Sequence, residues 1–113
     1  MAKYEYRLTG DFNDLLKTIE NGILKGSLSA KLEDASNFEI ENVRCAVRVF
    51  ERYSVIGSNR VSLSVTLLGK GDNLFLSAIT AGGSQAVFFK INTFGESAFL
   101  DCLKDIVERY KRR

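Results

Sequence analysis

No stretch of this chain constrains its fold more than Val43-Arg44-Cys45-Ala46-Val47-Arg48-Val49-Phe50-Glu51-Arg52-Tyr53. Side chains along a strand point alternately to opposite faces, so these residues separate into two chemically different sets. One set is Val43, Cys45, Val47 and Val49. The other is Arg44, Ala46, Arg48, Phe50 and Arg52. A long strand divided in this way is expected at the centre of a sheet covered on one side only. The valines should meet the core and the arginines should meet solvent.

The neighbouring segments extend the pattern. Lys3–Leu8 alternates, with Tyr4, Tyr6 and Leu8 on one side, and predicts a first strand. Asp11 is placed to cap a helix whose stripe is Phe12, Leu15, Leu16, Ile19 and Ile23, ending between residues 21 and 25. Ser27–Leu32 alternates again, with Leu28, Ala30 and Leu32 inward. The polar run Glu33–Asn37 reads as a connection, and Phe38–Asn42 as an extension of the central strand or an approach to it. After a turn at Gly57-Ser58-Asn59, Arg60–Leu68 predicts a strand with Val61, Leu63, Val65 and Leu67 inward and Ser62, Ser64 and Thr66 outward. Gly69–Asn73 supplies hairpin chemistry, because glycine and asparagine tolerate positive φ.

Leu74–Ala81 is apolar on both sides and predicts a strand covered at least in part on both faces. Ala86–Ile91 predicts a further extended segment. Thr93-Phe94-Gly95-Glu96 has the spacing of a capping box, hydroxyl at the N-cap and carboxylate three residues on. Phe99, Leu103, Ile106, Val107 and Tyr110 then make one helical stripe to the end, with Asp105/Arg109 and Glu108/Arg112 spaced as surface ion pairs. The predicted fold is α+β in the order β-α-β4 (or β5)-α. It is a single domain over residues 1–113, with both helices packed on one face of an antiparallel sheet, similar in element order to TATA-binding-protein-like and helix-grip domains.

Several chemistries are excluded or disfavoured by composition. The chain contains no histidine, which removes Ser-His, Cys-His and histidine-ligated metal arrangements together. Its two cysteines cannot form a structural zinc site alone, so no metal or cofactor is expected. A net charge of +2 is too small to imply a polyanionic partner by itself. The longest purely apolar run, Ala86–Phe89, falls far below the ~20 residues of a membrane-spanning helix. The N-terminal residues do not read as a signal peptide. A cytoplasmic protein with reduced Cys45 and Cys102, and no membrane partner, is expected.

The arginine row is the candidate site. On an open sheet face Arg44, Arg48 and Arg52 would share a surface with Phe50, Lys31, Ser62, Ser64 and Thr66. Guanidiniums and hydroxyls together can hold a small anion. The competing readings are charge pairing with Glu33, Glu39 or Glu41, and burial against a second copy as a homodimer. Gly83, Ser84 and Gln85, after Gly82, could form an anion-binding backbone nest, although no nucleotide-binding fingerprint is present. Cys45 on the core face and Cys102 beside the last helical stripe read as structural thiols.

The expected function is thus non-enzymatic: self-association, or binding of a small anionic ligand, on the open sheet face. One alternative is an enzyme with a pocket between sheet and C-terminal helix, using Ser84, Gln85 or Lys90. The other is single-stranded nucleic acid on the arginine face, where Phe50 is the one credible stacking residue. Across Arg44–Ser54, and again across Ser77–Glu96, the chain resembles an uncharacterised domain-of-unknown-function family of small single-domain proteins from Gram-positive bacteria. The resemblance implies a bacterial, cytoplasmic setting and brings no activity, cofactor or site residue with it.

Overall fold

The elements run β1 (Ala2–Thr9), α1 (Phe12–Gly26), β2 (Lys31–Ile40), β3 (Val43–Ser54), β4 (Asn59–Lys70), β5 (Asn73–Gly82) and α2 (Phe89–Lys111). The computed structural model describes residues 1–27, 29–54, 59–82 and 89–111. The strands form one antiparallel sheet in the order β1-β5-β4-β3-β2. Both helices lie on one face of it, as the alternation of strand and helix patterns predicts. α2 packs over β5, β4 and β1, while α1 packs against α2 and β4.

Two tight turns fix much of the register. Ile40 pairs with Val43 around Glu41-Asn42, and Lys70 pairs with Asn73 around Gly71-Asp72. Both turns need a left-handed residue, Gly71 at φ 58° and Glu41 at φ 59°. Glycine adopts that region freely, whereas glutamate does so against a steric cost of about 1 kcal/mol.

The helix-facing layer of the sheet is Phe50, Val61, Leu63, Val65, Leu67, Leu74, Leu76 and Ala78, all buried. It meets Leu15, Ile19 and Ile23 of α1 and Phe99, Leu103 and Val107 of α2. Each such side chain contributes roughly 1.5–3 kcal/mol on leaving water. Asp11 caps α1 as expected, its carboxylate accepting from the Asp14 amide at 2.8 Å. The two helices approach closely at Gly22, where a Cβ would lie 2.6 Å from Ile106 Cδ1.

The phase of β3 is the reverse of the expectation. Phe50 stands opposite Leu63, Ala46 opposite Leu67, and Arg48 opposite Val65. Cross-strand partners share a face, so the apolar side of β4 carries the even-numbered residues of β3 beneath the helices. Val43, Cys45, Val47 and Val49 instead occupy the bare face, beside Ser62, Ser64, Thr66 and Leu68. The face of β4 was legible from its own pattern. That of β3 was not, because a one-residue change of register exchanges its two faces.

Other expectations change as well. β2 runs straight through Glu33–Asn37, with a bulge between Leu32 and Asp34, rather than breaking there. All ten of its residues are exposed, Leu32 included, because neither helix covers this edge. β2 begins at Lys31 and not at Ser27: Ala30 N donates to Ser27 O at 3.2 Å, and Leu28, expected to point inward, lies outside the described residues. α2 is already helical at Phe89, so Thr93–Glu96 lies inside the helix and is not its cap, and 89–91 is not extended. β5 keeps to its expectation, with Leu74, Leu76, Ala78 and Thr80 buried on one side and Phe75, Ser77 and Ala81 partly covered on the other.

Candidate functional site

Instead of lining an open surface, the arginine row forms a seam along the flank of α1. Arg44, Arg48 and Arg52 recur every four residues, about 13 Å along a strand. Asn13 and Glu20 of α1 and Ser27 at its C-cap recur every seven residues, about 10.5 Å of helix. The two spacings stay nearly in step, and each arginine reaches one of the three. Arg44 Nη2 donates to Asn13 Oδ1 at 2.6 Å. Arg48 Nε donates to Glu20 Oε2 at 2.5 Å, and its Nη1 to the carbonyls of Val47 and Ser36 at 2.9 and 3.3 Å. Arg52 Nη1 donates to Ser27 Oγ at 2.7 Å.

Aromatic rings complete two of these contacts. The Arg52 guanidinium lies 4.4 Å from the centroid of the Phe99 ring, and that of Arg44 4.3 Å from Phe12. Phe12 can lie flat there because Gly69, the residue opposite Arg44, has no side chain; a Cβ would come within 2.6 Å of Phe12 Cδ2. A polar heptad such as Asn13–Glu20–Ser27 is the sequence signal that matches this seam. It becomes informative only once α1 is known to run beside β3.

Beyond α1 the seam opens into a cleft of about 390 Å³ between the helix and the uncovered β2–β3 hairpin. Phe12, Asn13 and Leu16 line it from the helix, and Asn37, Glu39 and Arg44 from the strands. Arg48, at 7% exposure, is neutralised at its edge by Glu20. Glu39 is the cross-strand partner of Arg44.

Among the described residues no helix lies on the opposite face of the sheet. Phe75, Leu68, Cys45 and Phe38 stand side by side across β5, β4, β3 and β2, with Val43 and Ile40 next to them. Phe38 is 53% exposed, Ile40 68% and Leu68 41%. Beyond this band the face turns polar. Ser77 donates to Glu5 at 3.1 Å and Ser62 to Glu51 at 3.5 Å, while Arg60 pairs with Glu51 and, at 3.6 Å, with Glu33. Glu33 thus finds an arginine, but one outside the predicted row.

The residues singled out as one site are therefore divided. Arg44, Arg48 and Arg52 lie on the helix side; Ser62, Ser64, Thr66 and Lys31 lie on the bare side; Gly83, Ser84 and Gln85 fall outside the described residues. Phe50, offered as a base-stacking platform, is fully buried. Cys45 lies on the bare face yet is 8% exposed between its neighbours, and burial pushes its thiol pKa up. Cys102 lies 3.8 Å from Arg52 Nη1, a cationic neighbour that the sequence did not reveal. On β1, burial and then Glu108 raise the Tyr4 pKa, and Lys104 and Lys111 of α2 sit over the rings of Tyr4 and Tyr6.

Among the described residues no three cysteine or acidic side chains gather as a metal site requires, and no helix is long and apolar enough to cross a membrane. Fold and surfaces together define a two-layer α+β domain with one helix-covered face and one bare face. The chain belongs to the family of unknown function DUF6054, which matches residues 1–111. A comparison with curated proteins finds no match.

Proposed function

We propose that this chain is a non-enzymatic domain that self-associates through the bare face of its sheet. The observation that carries the reading is the apolar band Phe75–Leu68–Cys45–Phe38, flanked by Val43 and Ile40, on a face that no helix covers among the described residues. An exposed apolar patch of this kind marks an interaction surface more often than a solvated one. Five strands at about 4.8 Å spacing, ten residues long at about 3.3 Å each, offer roughly 800 Å². That is roughly what each partner contributes to a standard interface.

The extent of the face and one complementary charge pair favour a second copy as the occupant. A two-fold axis along the strands lays β1 of one copy over β2 of the other. Lys3, level with Ile79 and Ser64, then faces Asp34 of the partner subunit, and Leu68 on the middle strand faces its own counterpart. A cytoplasmic setting belongs to the same proposal and is supported by the free thiols of Cys45 and Cys102.

The small-anion reading loses support on this face, since the arginines that motivated it point the other way. Light scattering on an eluting column peak tests the proposal. A mass near twice 12.6 kDa that falls to the single-chain value in Leu68→Lys, with unchanged circular dichroism, is the expected result. A wild-type chain that stays monomeric at about 0.1 mM, a concentration at which even a weak dimer forms, ends it.

A further inference from the structure

We infer that the cleft between α1 and the β2–β3 hairpin is a binding site for a small amino-carboxylate, an α-amino acid carrying an apolar side chain. The inference is independent of self-association, because the cleft opens on the other side of the sheet.

Its basis is a cation and an anion that share one cavity without meeting. Arg44 is held in place by the Phe12 ring at 4.3 Å and by Asn13 at 2.6 Å. Among the described residues no carboxylate comes within ion-pair distance of it. A guanidinium has five N–H donors, and the Asn13 contact uses one. Glu39, its cross-strand partner on the same cleft, likewise has no cationic partner among the described residues. Cross-strand neighbours of opposite charge ordinarily pair with each other. Here Phe12 and Asn13 draw Arg44 toward the helix, and Glu39 stays on the edge strand.

The ligand that answers this arrangement carries a carboxylate for Arg44 and an ammonium for Glu39. Arginine receives a carboxylate by two parallel hydrogen bonds, which fixes orientation as well as charge. Phe12 and Leu16 offer apolar surface to the remainder of the molecule. The Arg48–Glu20 pair adds no net charge, so the cleft is close to neutral overall. That disfavours a phosphate or dicarboxylate and favours a zwitterion. About 390 Å³ lies toward the small end of ligand-site volumes, suited to an amino acid and no large ligand.

Calorimetric titration with free leucine as probe, alongside N-acetylleucine, leucinamide and inorganic phosphate, tests this. Leucine should bind, and each blocked analogue should bind at least about tenfold more weakly, the loss expected from one charged contact. Glu39→Gln, on an exposed strand where folding is not at risk, should weaken leucine about tenfold and leave N-acetylleucine unchanged. Arg44→Gln should abolish leucine binding, with folding checked by circular dichroism. Ser64→Ala, on the bare face, should bind as the wild type does. Equal binding of leucine and N-acetylleucine, tighter binding of phosphate, or no heat with any apolar amino acid at about 10 mM would each overturn the assignment. Because Leu68→Lys separates the subunits without touching the cleft, it should bind leucine normally, so failure of either proposal leaves the other standing.

Discussion

The two faces of β3 show how one strand can be held in two different ways. Its helix side carries three arginines, yet all three are engaged: Arg44 on Phe12 and Asn13, Arg48 on Glu20, Arg52 on Phe99 and Ser27. Its bare side carries three valines and a cysteine, and neither α1 nor α2 covers them. Hydropathy alone assigns these faces the wrong way round. The difference teaches that a guanidinium is an amphipathic group, able to stack on a ring and bridge to a helix while its stem covers apolar surface. A charged side chain at the margin of a core can serve as packing.

That contrast can be broken most forcefully at Phe50. Phe50→Ala, beneath the helices, is expected to cost about 3–5 kcal/mol, whereas Val49→Ala on the bare side should cost no more than about 1 kcal/mol. Urea unfolding of both variants measures the gap, and similar losses would mean that the faces are equally built.

The seam is sharpened next at Glu20. Glu20→Ala leaves Arg48, 7% exposed, without its carboxylate and should cost about 2 kcal/mol, somewhat below a fully buried pair because Glu20 is itself partly wet. The double variant Arg48→Met/Glu20→Leu should recover most of that loss, since no orphaned charge remains. A double-mutant cycle with no coupling would show that the pair is incidental.

Gly69→Ala probes the support under Arg44. The new methyl group would meet Phe12 at 2.6 Å, and displacing that ring is expected to cost about 1–2 kcal/mol. It should also weaken leucine binding in the cleft. An unchanged unfolding midpoint would mean that Phe12 moves aside freely.

A smaller effect, of opposite sign, is expected at the turn of the uncovered hairpin. Glu41→Gly relieves a left-handed residue and should gain up to about 0.5 kcal/mol after the extra unfolded-state entropy of glycine is subtracted. The equivalent position of the other hairpin, Gly71, already has this solution.

The smallest effect is a pH dependence of the bare face. Burial raises the Cys45 pKa, so the unfolded chain releases the thiol proton first as pH rises. Stability from this group is full below about pH 9, the ordinary value, and declines as pH climbs through the folded value. Tyr4, on the helix side of β1 and raised in the same direction, adds its decline above pH 10. Unfolding midpoints at pH 8 and 10 should differ less in Cys45→Ala than in the wild type.

Much of this architecture was written locally. The alternation in β1 and β4, the stripes of α1 and α2, the Asp11 cap and the Gly71 turn each follow from a few adjacent residues obeying one period or one backbone requirement. These features establish an α+β domain with both helices on one side of an antiparallel sheet. Local pattern also misled where tertiary contacts dominate. Thr93–Glu96 matches a cap, but α2 begins at Phe89; Glu33–Asn37 is polar enough for a loop, but hydrogen bonding to β3 keeps it a strand.

The candidate site was the least legible part, because it depends on which face of β3 meets the helices. The sequence by itself determined that β3 has two faces, one cationic and one apolar. Only the tertiary structure decided which is which. The decision rests on register: pairing Phe50 with Leu63 and Ala46 with Leu67 joins an aromatic ring to the apolar face of β4, and the three arginines must follow it. α1 then provides Asn13, Glu20 and Ser27 at the spacing that receives them, a match between a helix and a strand that no local window contains.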